Sequence, residues 1–238
     1  MWGRFFGIGI GPGDPELLTV KAVRLLAESD VIYVPKARTK AESLARKIVA
    51  GYVDSEEKFC EVEFTMGKTA KELKSSYDLS AQRIIGDLRQ GKQVAYLTLG
   101  DPMLYSTYIY LTEALRRQCP DIAIETVPGI PSFGAAAALA NISLAEKNER
   151  VIILPVPEDL TDLKNILRRF DTVILLKVAK KLAEVIDLLG ECDCINNAVF
   201  ISHAGLENQT IERDLKRLRL EENEQGYLSI IIVKRPRE

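Results

Sequence analysis

The sequence predicts an α/β protein of two domains, residues 1–119 and 120–238, with a cleft between them. Three observations lead there. Short β-branched or apolar runs alternate with longer amphipathic stretches along all 238 residues, the pattern of strand–helix units in mainly parallel sheets. Hydrophobic residues make up 47% of the chain, enough for substantial cores. The stretch Gln118-Cys119-Pro120-Asp121 divides the alternation into two halves of domain size.

Taken in order, RFFGIGI (4–10) reads as a strand running into a glycine loop. DPELLTVKAVRLLAESD (14–30) is a helix start and helix, capped either by Asp14 with Pro15 in the first turn or, for a later start, by Thr19. Leu18, Ala22, Leu25 and Leu26 then share one face. VIYV (31–34) is a strand, SLARKIVAGY (43–52) a helix, and KFCEVEF (58–64) alternates like a strand. Residues 68–90 read as a long polar helix or helices ending near Gly91. QVAYLTLG (93–100) is continuously apolar, as buried parallel strands are, and residues 106–118 form the next helix. The second half predicts strands at 122–127, 151–154, 172–178, 198–203 and 227–234, and helices at 132–140, 159–169 and 180–189.

Charge and composition exclude several roles. The net charge is −2, so there is no global basic field for nucleic acid. No apolar run approaches a membrane span, and no secretory leader opens the chain; a cytoplasmic location is expected. Cys60, Cys119, Cys192 and Cys194 have neither disulfide nor zinc spacing and read as reduced thiols, with no metal site.

Three unusual loops follow predicted strands: GIGIGPGDP (7–15), LTLGDPMLYSTY (97–108) and ETVPGIPSFGAAAA (125–138). Ligands of open α/β sheets gather at such carboxyl ends, so three of them suggest one site. The first loop fails the dinucleotide fingerprint: the register from Gly7 needs glycine where Pro12 stands, and that from Gly9 needs it at Asp14. It fails the phosphate-loop pattern too, since no Gly-Lys-Ser/Thr follows. Asp14 would also set a negative charge beside a polyphosphate. Gly100-Asp101-Pro102 places a carboxylate at a strand end, either to accept from a ligand or to close an Asx-turn. Ser132 stands where a helix N-cap is expected, ahead of alanines that permit close packing or close ligand approach.

Together, GPGDPELLTVKA, the Gly-Asp-Pro loop and the Val-Pro-Gly-Ile loop, in that order, resemble the tetrapyrrole methylase family over essentially the whole chain. LTLGDPMLYSTYIYL (97–111) and LLKVAK (175–180) are similar to its branch that methylates precorrin-2, or its cobalt form, at C-20. The resemblance implies S-adenosylmethionine as cofactor, a tetrapyrrole substrate, cobalamin biosynthesis and a homodimer. It carries cofactor contacts onto Pro12, Gly100, Asp101, Leu104, Pro131, Ser132, Lys177 and Ala204. Two positions depart from the family pattern. Pro131 stands where relatives usually have threonine or serine, so a hydroxyl and a backbone donor are missing there. Lys177 stands where relatives often have methionine.

A tetrapyrrole carries many carboxylates. Lys36, Arg38 and Lys40 follow a predicted strand end and are either their partners or a solvated charged loop. Tyr105, Ser106 and Tyr108 either line the macrocycle pocket or form the buried face of the next helix. His203, the single histidine, reads as structural. No catalytic base is evident.

Overall fold

The computed structural model describes residues 1–35, 44–62, 69–218 and 228–235. Lys36, Arg38 and Lys40 lie outside the described residues. The chain divides into two compact units, Met1–Pro131 and Ser132–Glu238.

The first unit holds strands β1 (Phe5–Gly9), β2 (Val31–Pro35), β3 (Phe59–Val62), β4 (Val94–Thr98) and β5 (Ile124–Val127). They form one sheet in the order β3-β2-β4-β1-β5, and every pairing is parallel. A parallel sheet needs both faces covered, which is why β1 and β4 are buried throughout. On one face Phe6, Ile8 and Ile10 pack with Leu25 and Leu26 of α1 (Val20–Glu28) and Ile48 of α2 (Leu44–Val49). On the other, Phe5 and Tyr96 pack with Ile84 and Leu88 of α3 (Ala70–Arg89) and Leu111 of α4 (Tyr108–Gln118).

Both caps expected near residue 14 form. Asp14 accepts from Glu16 N (2.9 Å) at a short 3-10 turn, Pro15–Leu17, and Thr19 accepts from Ala22 N (3.1 Å) at the start of α1. Thr69 and Glu72 cap α3 reciprocally. The unit runs past the expected boundary at residue 119 because β5 pairs with β1, which keeps the chain in the first sheet until Pro131.

The second unit holds β6 (Val151–Pro155), β7 (Thr172–Leu176), β8 (Ala198–Ser202), β9 (Thr210–Glu212) and β10 (Ser229–Lys234), in the order β6-β7-β10-β8-β9. Only β6–β7 is parallel; β10 runs against both β7 and β8, and β9 against β8. The expectation of mainly parallel sheets is therefore wrong here. Residues 203–209 leave too little chain between β8 and β9 for a crossover, so the chain folds back. One face packs on α6 (Leu163–Arg169) and α7 (Leu182–Glu191). On the other, Ala136, Ala137 and Ala140 of α5 (Ser132–Ala140) meet Ile174, Val199, Ile201 and Ile230, so the alanines serve close packing. All four cysteines are half-buried free thiols.

Candidate functional site

In the first unit β4, β1 and β5 are neighbours, so the loops after their carboxyl ends lie side by side. Gly11 and Gly100 join the first two in an isolated antiparallel bridge. Gly100 N donates to Gly11 O at 2.7 Å, and both glycines take positive φ, +73° and +69°. The third loop packs backbone against backbone on the other two. A Cβ on Gly9 would lie 2.6 Å from Gly129 N and 2.7 Å from Gly100 O. A Cβ on Gly129 would run into Gly100 O and the Gly9 backbone. These positions require glycine because no atom fits between the chains.

Asp101 ties the second loop to the third. Its Oδ1 accepts from Met103 N (2.8 Å) and its Oδ2 from Gly129 N (3.0 Å). Each carboxylate oxygen thus already holds one backbone amide, and the Asx-turn reading of this loop is realised together with a long-range contact.

Below the loops lies a layer of hydroxyls. Thr98 Oγ1 and Ser106 Oγ share a hydrogen bond (2.8 Å), and Ser106 Oγ accepts from Tyr108 N (3.1 Å). Tyr108 OH bonds Thr126 Oγ1 (2.6 Å), and Tyr96 OH bonds Thr107 Oγ1 (3.3 Å). The Tyr108 ring fills the space that a side chain at residue 7 would need. Tyr108 is only 1% exposed, and burial raises its phenol pKa. The placement of Tyr108 in a macrocycle pocket is therefore corrected: the ring is sealed in the core beside Phe5 and Tyr96. Ser106 likewise directs its hydroxyl inward. Of the three, Tyr105 alone reaches solvent freely, at 49% exposure and with φ +51°. Met103 and Leu104 beside it are also exposed, whereas Pro12 is buried.

The charge of these loops is one-sided. Residues 5–18, 97–108 and 126–131 contain no lysine or arginine, but carry Asp14, Glu16 and Asp101. Such a surface disfavours phosphates and suits a neutral or cationic ligand.

The second unit has its own cluster of strand ends. Lys177 follows β7 with φ +57°, and His203 follows β8 with φ +51°. A left-handed conformation costs an ordinary residue roughly 1–2 kcal/mol, and strain of this kind concentrates at functional sites. His203 N donates to Leu228 O (2.9 Å), binding the end of β8 to the approach to β10. Ser202 is 1% exposed and its Oγ has no hydrogen-bond partner in the structure. Ala204 is buried against the sheet core, and Ser132 opens α5. Lys177 and Lys180 are exposed, and among the described residues neither forms an ion pair. They precede α7, where positive charge opposes the helix dipole.

Sequence reasoning missed the Asp101–Gly129 tie, the Thr126 partner of Tyr108 and the orphaned Ser202 hydroxyl, whereas burial of Tyr108 on the face of α4 was one of its two readings. The alternation of Gly7 and Gly9 carried a trace of the first two, since both fall on the Phe5 face of β1.

Among the described residues no helix is long and apolar enough to cross a membrane. The family model of the Tetrapyrrole (Corrin/Porphyrin) Methylases matches residues 4–218. The chain is 31% identical to the cobalt-precorrin-2 C(20)-methyltransferase of Salmonella typhimurium, over 98% of this chain and 97% of that protein. It is 32% identical to the probable cobalt-precorrin-2 C(20)-methyltransferase of Methanocaldococcus jannaschii, over 98% and 96%. In fold it is similar to a cobalt precorrin-4 methyltransferase, with a TM-score of 0.73 at 22% identity over 97% of this chain and 94% of that one. It is also similar in fold to the uroporphyrin-III C-methyl transferase of Thermus thermophilus complexed with S-adenosyl homocysteine, with a TM-score of 0.66 at 23% identity over 98% and 97%. From its matched sequence and its two α/β sheets, the chain belongs to the tetrapyrrole (corrin/porphyrin) methylase family.

Proposed function

We propose that this protein is an S-adenosylmethionine-dependent methyltransferase that methylates precorrin-2 or its cobalt complex at C-20, in cobalamin biosynthesis. The observation that carries the reading is 31% identity, over nearly the full length of both chains, to the Salmonella typhimurium enzyme of that name. The loop chemistry fits the cofactor. Its sulfonium and ammonium make it cationic overall, and the three loops of the first unit are free of lysine and arginine but bear carboxylates. The buried Ser202 hydroxyl at the end of β8 is an unsatisfied polar group of the kind a ligand completes.

S-adenosylmethionine, when bound, supplies an electrophilic methyl group. The chain contributes placement, which can lower a barrier by roughly 7–11 kcal/mol. Pro12, Gly100, Asp101 and Leu104 in the first unit, with Pro131, Ser132, Lys177 and Ala204, are the proposed cofactor contacts. Gly100 and Asp101 are held by the loop ties, so their backbone groups are oriented before binding. Contact at Pro131 is through its carbonyl or ring. For the substrate, Tyr105 offers an exposed aromatic face to the macrocycle. Lys36 and Arg38, together with the exposed Lys180, are proposed partners of its carboxylates. The protein is further proposed to act as a cytoplasmic homodimer, which light scattering of the purified chain checks.

The test is incubation with S-adenosylmethionine and either precorrin-2 or its cobalt complex, with the new methyl located by NMR. A methyl at C-20 is expected. Transfer to another ring position overturns the regiochemistry, and absence of transfer to both substrates overturns the activity.

A further inference from the structure

Tyr108 lies too deep to touch a ligand, yet its hydroxyl joins the parts that shape the first unit's loops. It is the first residue of α4, immediately after the second loop. Its partner Thr126 sits in β5, two residues before Pro128 opens the third loop. The bond between them is short, 2.6 Å, and the ring lies directly over Gly7, where a Cβ would come within 2.1 Å of it. On the other side Tyr108 N bonds Ser106 Oγ, which bonds Thr98 at the end of β4. One level higher, Asp101 repeats the connection through Gly129 N.

We infer that Tyr108 and Thr126 form a positioning clamp: their hydroxyl pair sets the third loop against the second and so preorganises the cofactor-binding backbone. The link to the cofactor rests on the function proposed above; the clamp itself does not. Two ties at two levels fix a separation and also an angle, because a single hydrogen bond would leave the third loop free to pivot. Gly7 belongs to the device, since any side chain there would displace the Tyr108 ring.

Three variants test it. Tyr108→Phe removes one oxygen and leaves the ring in place; Thr126→Val removes the other hydroxyl; Thr126→Ser keeps it. In Tyr108→Phe, amide exchange at Gly129 and over residues 99–105 should quicken by about tenfold while α1 keeps its protection. The dissociation constant for S-adenosylhomocysteine, read by calorimetry, should rise about fivefold, with kcat at saturating cofactor changing less than KM. Thr126→Val should match Tyr108→Phe, the double variant should be no weaker than either single one, and Thr126→Ser should resemble the parent. Unchanged exchange at Gly129 in a folded Tyr108→Phe protein overturns the clamp. So does a Thr126→Ser protein as impaired as Thr126→Val, because packing would then be the cause. If exchange quickens but the unaltered protein does not bind S-adenosylhomocysteine, the clamp stands and the cofactor reading falls.

Discussion

The two units build strand-end clusters by opposite means. In the first, glycines at 9, 11, 100 and 129 let backbones meet directly, and the loops carry no cation. In the second, the turns after β7 and β8 are left-handed at Lys177 and His203, residues with full side chains, and lysines lead into α7. Glycine permits close approach at no strain but presents no functional group. A lysine in the same conformation is strained but delivers a charge. The first cluster is thus mainly a glycine-built, acidic or neutral frame, with left-handed Tyr105 at its exposed tip, and the second a strained, basic one.

The largest effect expected from this contrast comes at Gly9. Gly9→Ala forces a methyl into the backbone of Gly100 and Gly129, an overpacking that should cost about 3 kcal/mol in denaturant unfolding. Gly190→Ala in α7 is the matched control from the second unit. Its Cβ would meet nothing within 4 Å, so stability should rise by about 0.5–1 kcal/mol. A harmless Gly9→Ala would break the account of the first cluster.

A mirrored pair isolates backbone conformation. At Gly11 a Cβ finds ordinary contacts, the nearest at 3.5 Å, so the cost of Gly11→Ala lies in its φ of +73°. About 1–2 kcal/mol should be lost. Lys177→Gly should do the reverse, relieving strain and raising the thermal midpoint by an amount worth about 1 kcal/mol, offset in part by the entropy of glycine. Equal signs for the two would deny that the units differ in this respect.

Charge sharpens the contrast next. Lys180→Gln should raise the apparent KM for the tetrapyrrole about fivefold, equivalent to ~1 kcal/mol, while S-adenosylhomocysteine affinity stays unchanged. A shift in the cofactor constant alone would reassign this lysine.

The smallest effect lies in the first sheet. A hydrogen bond from Lys21, its nearby charge and that of Arg4 hold the Glu125 carboxyl below its ordinary value of 4.5. A lowered folded-state pKa stabilises above the unfolded value, and the contribution disappears as pH falls through the folded one. Glu125→Gln should flatten the acid limb of the stability curve, by less than ~1 kcal/mol because the group is partly exposed. An unaltered acid limb would mean that the pair contributes nothing.

Local pattern was sufficient wherever the chain decides its structure within a few residues. Residues 132–140 were legible as the helix they form, and Asp14 and Thr19 both cap because their side chains need only the next turn. The three strand-end loops were legible from glycine and proline placement, and the resemblance of GPGDPELLTVKA reached the family that the sequence match bears out. Three-residue β9, Thr-Ile-Glu, has no hydrophobic run to reveal it and exists because β8 offers an edge.

By itself, then, the sequence determined most strand and helix segments, the family and the position of the loops, since periodicity and turn chemistry act over short range, while β9 escaped it. Only the tertiary structure decided that β10 runs against its neighbours, that β5 holds the chain in the first unit to Pro131, and that Tyr108 turns inward onto Thr126. Each depends on contacts between residues distant in the chain, where the free energy of pairing and burial, and not local preference, selects the outcome.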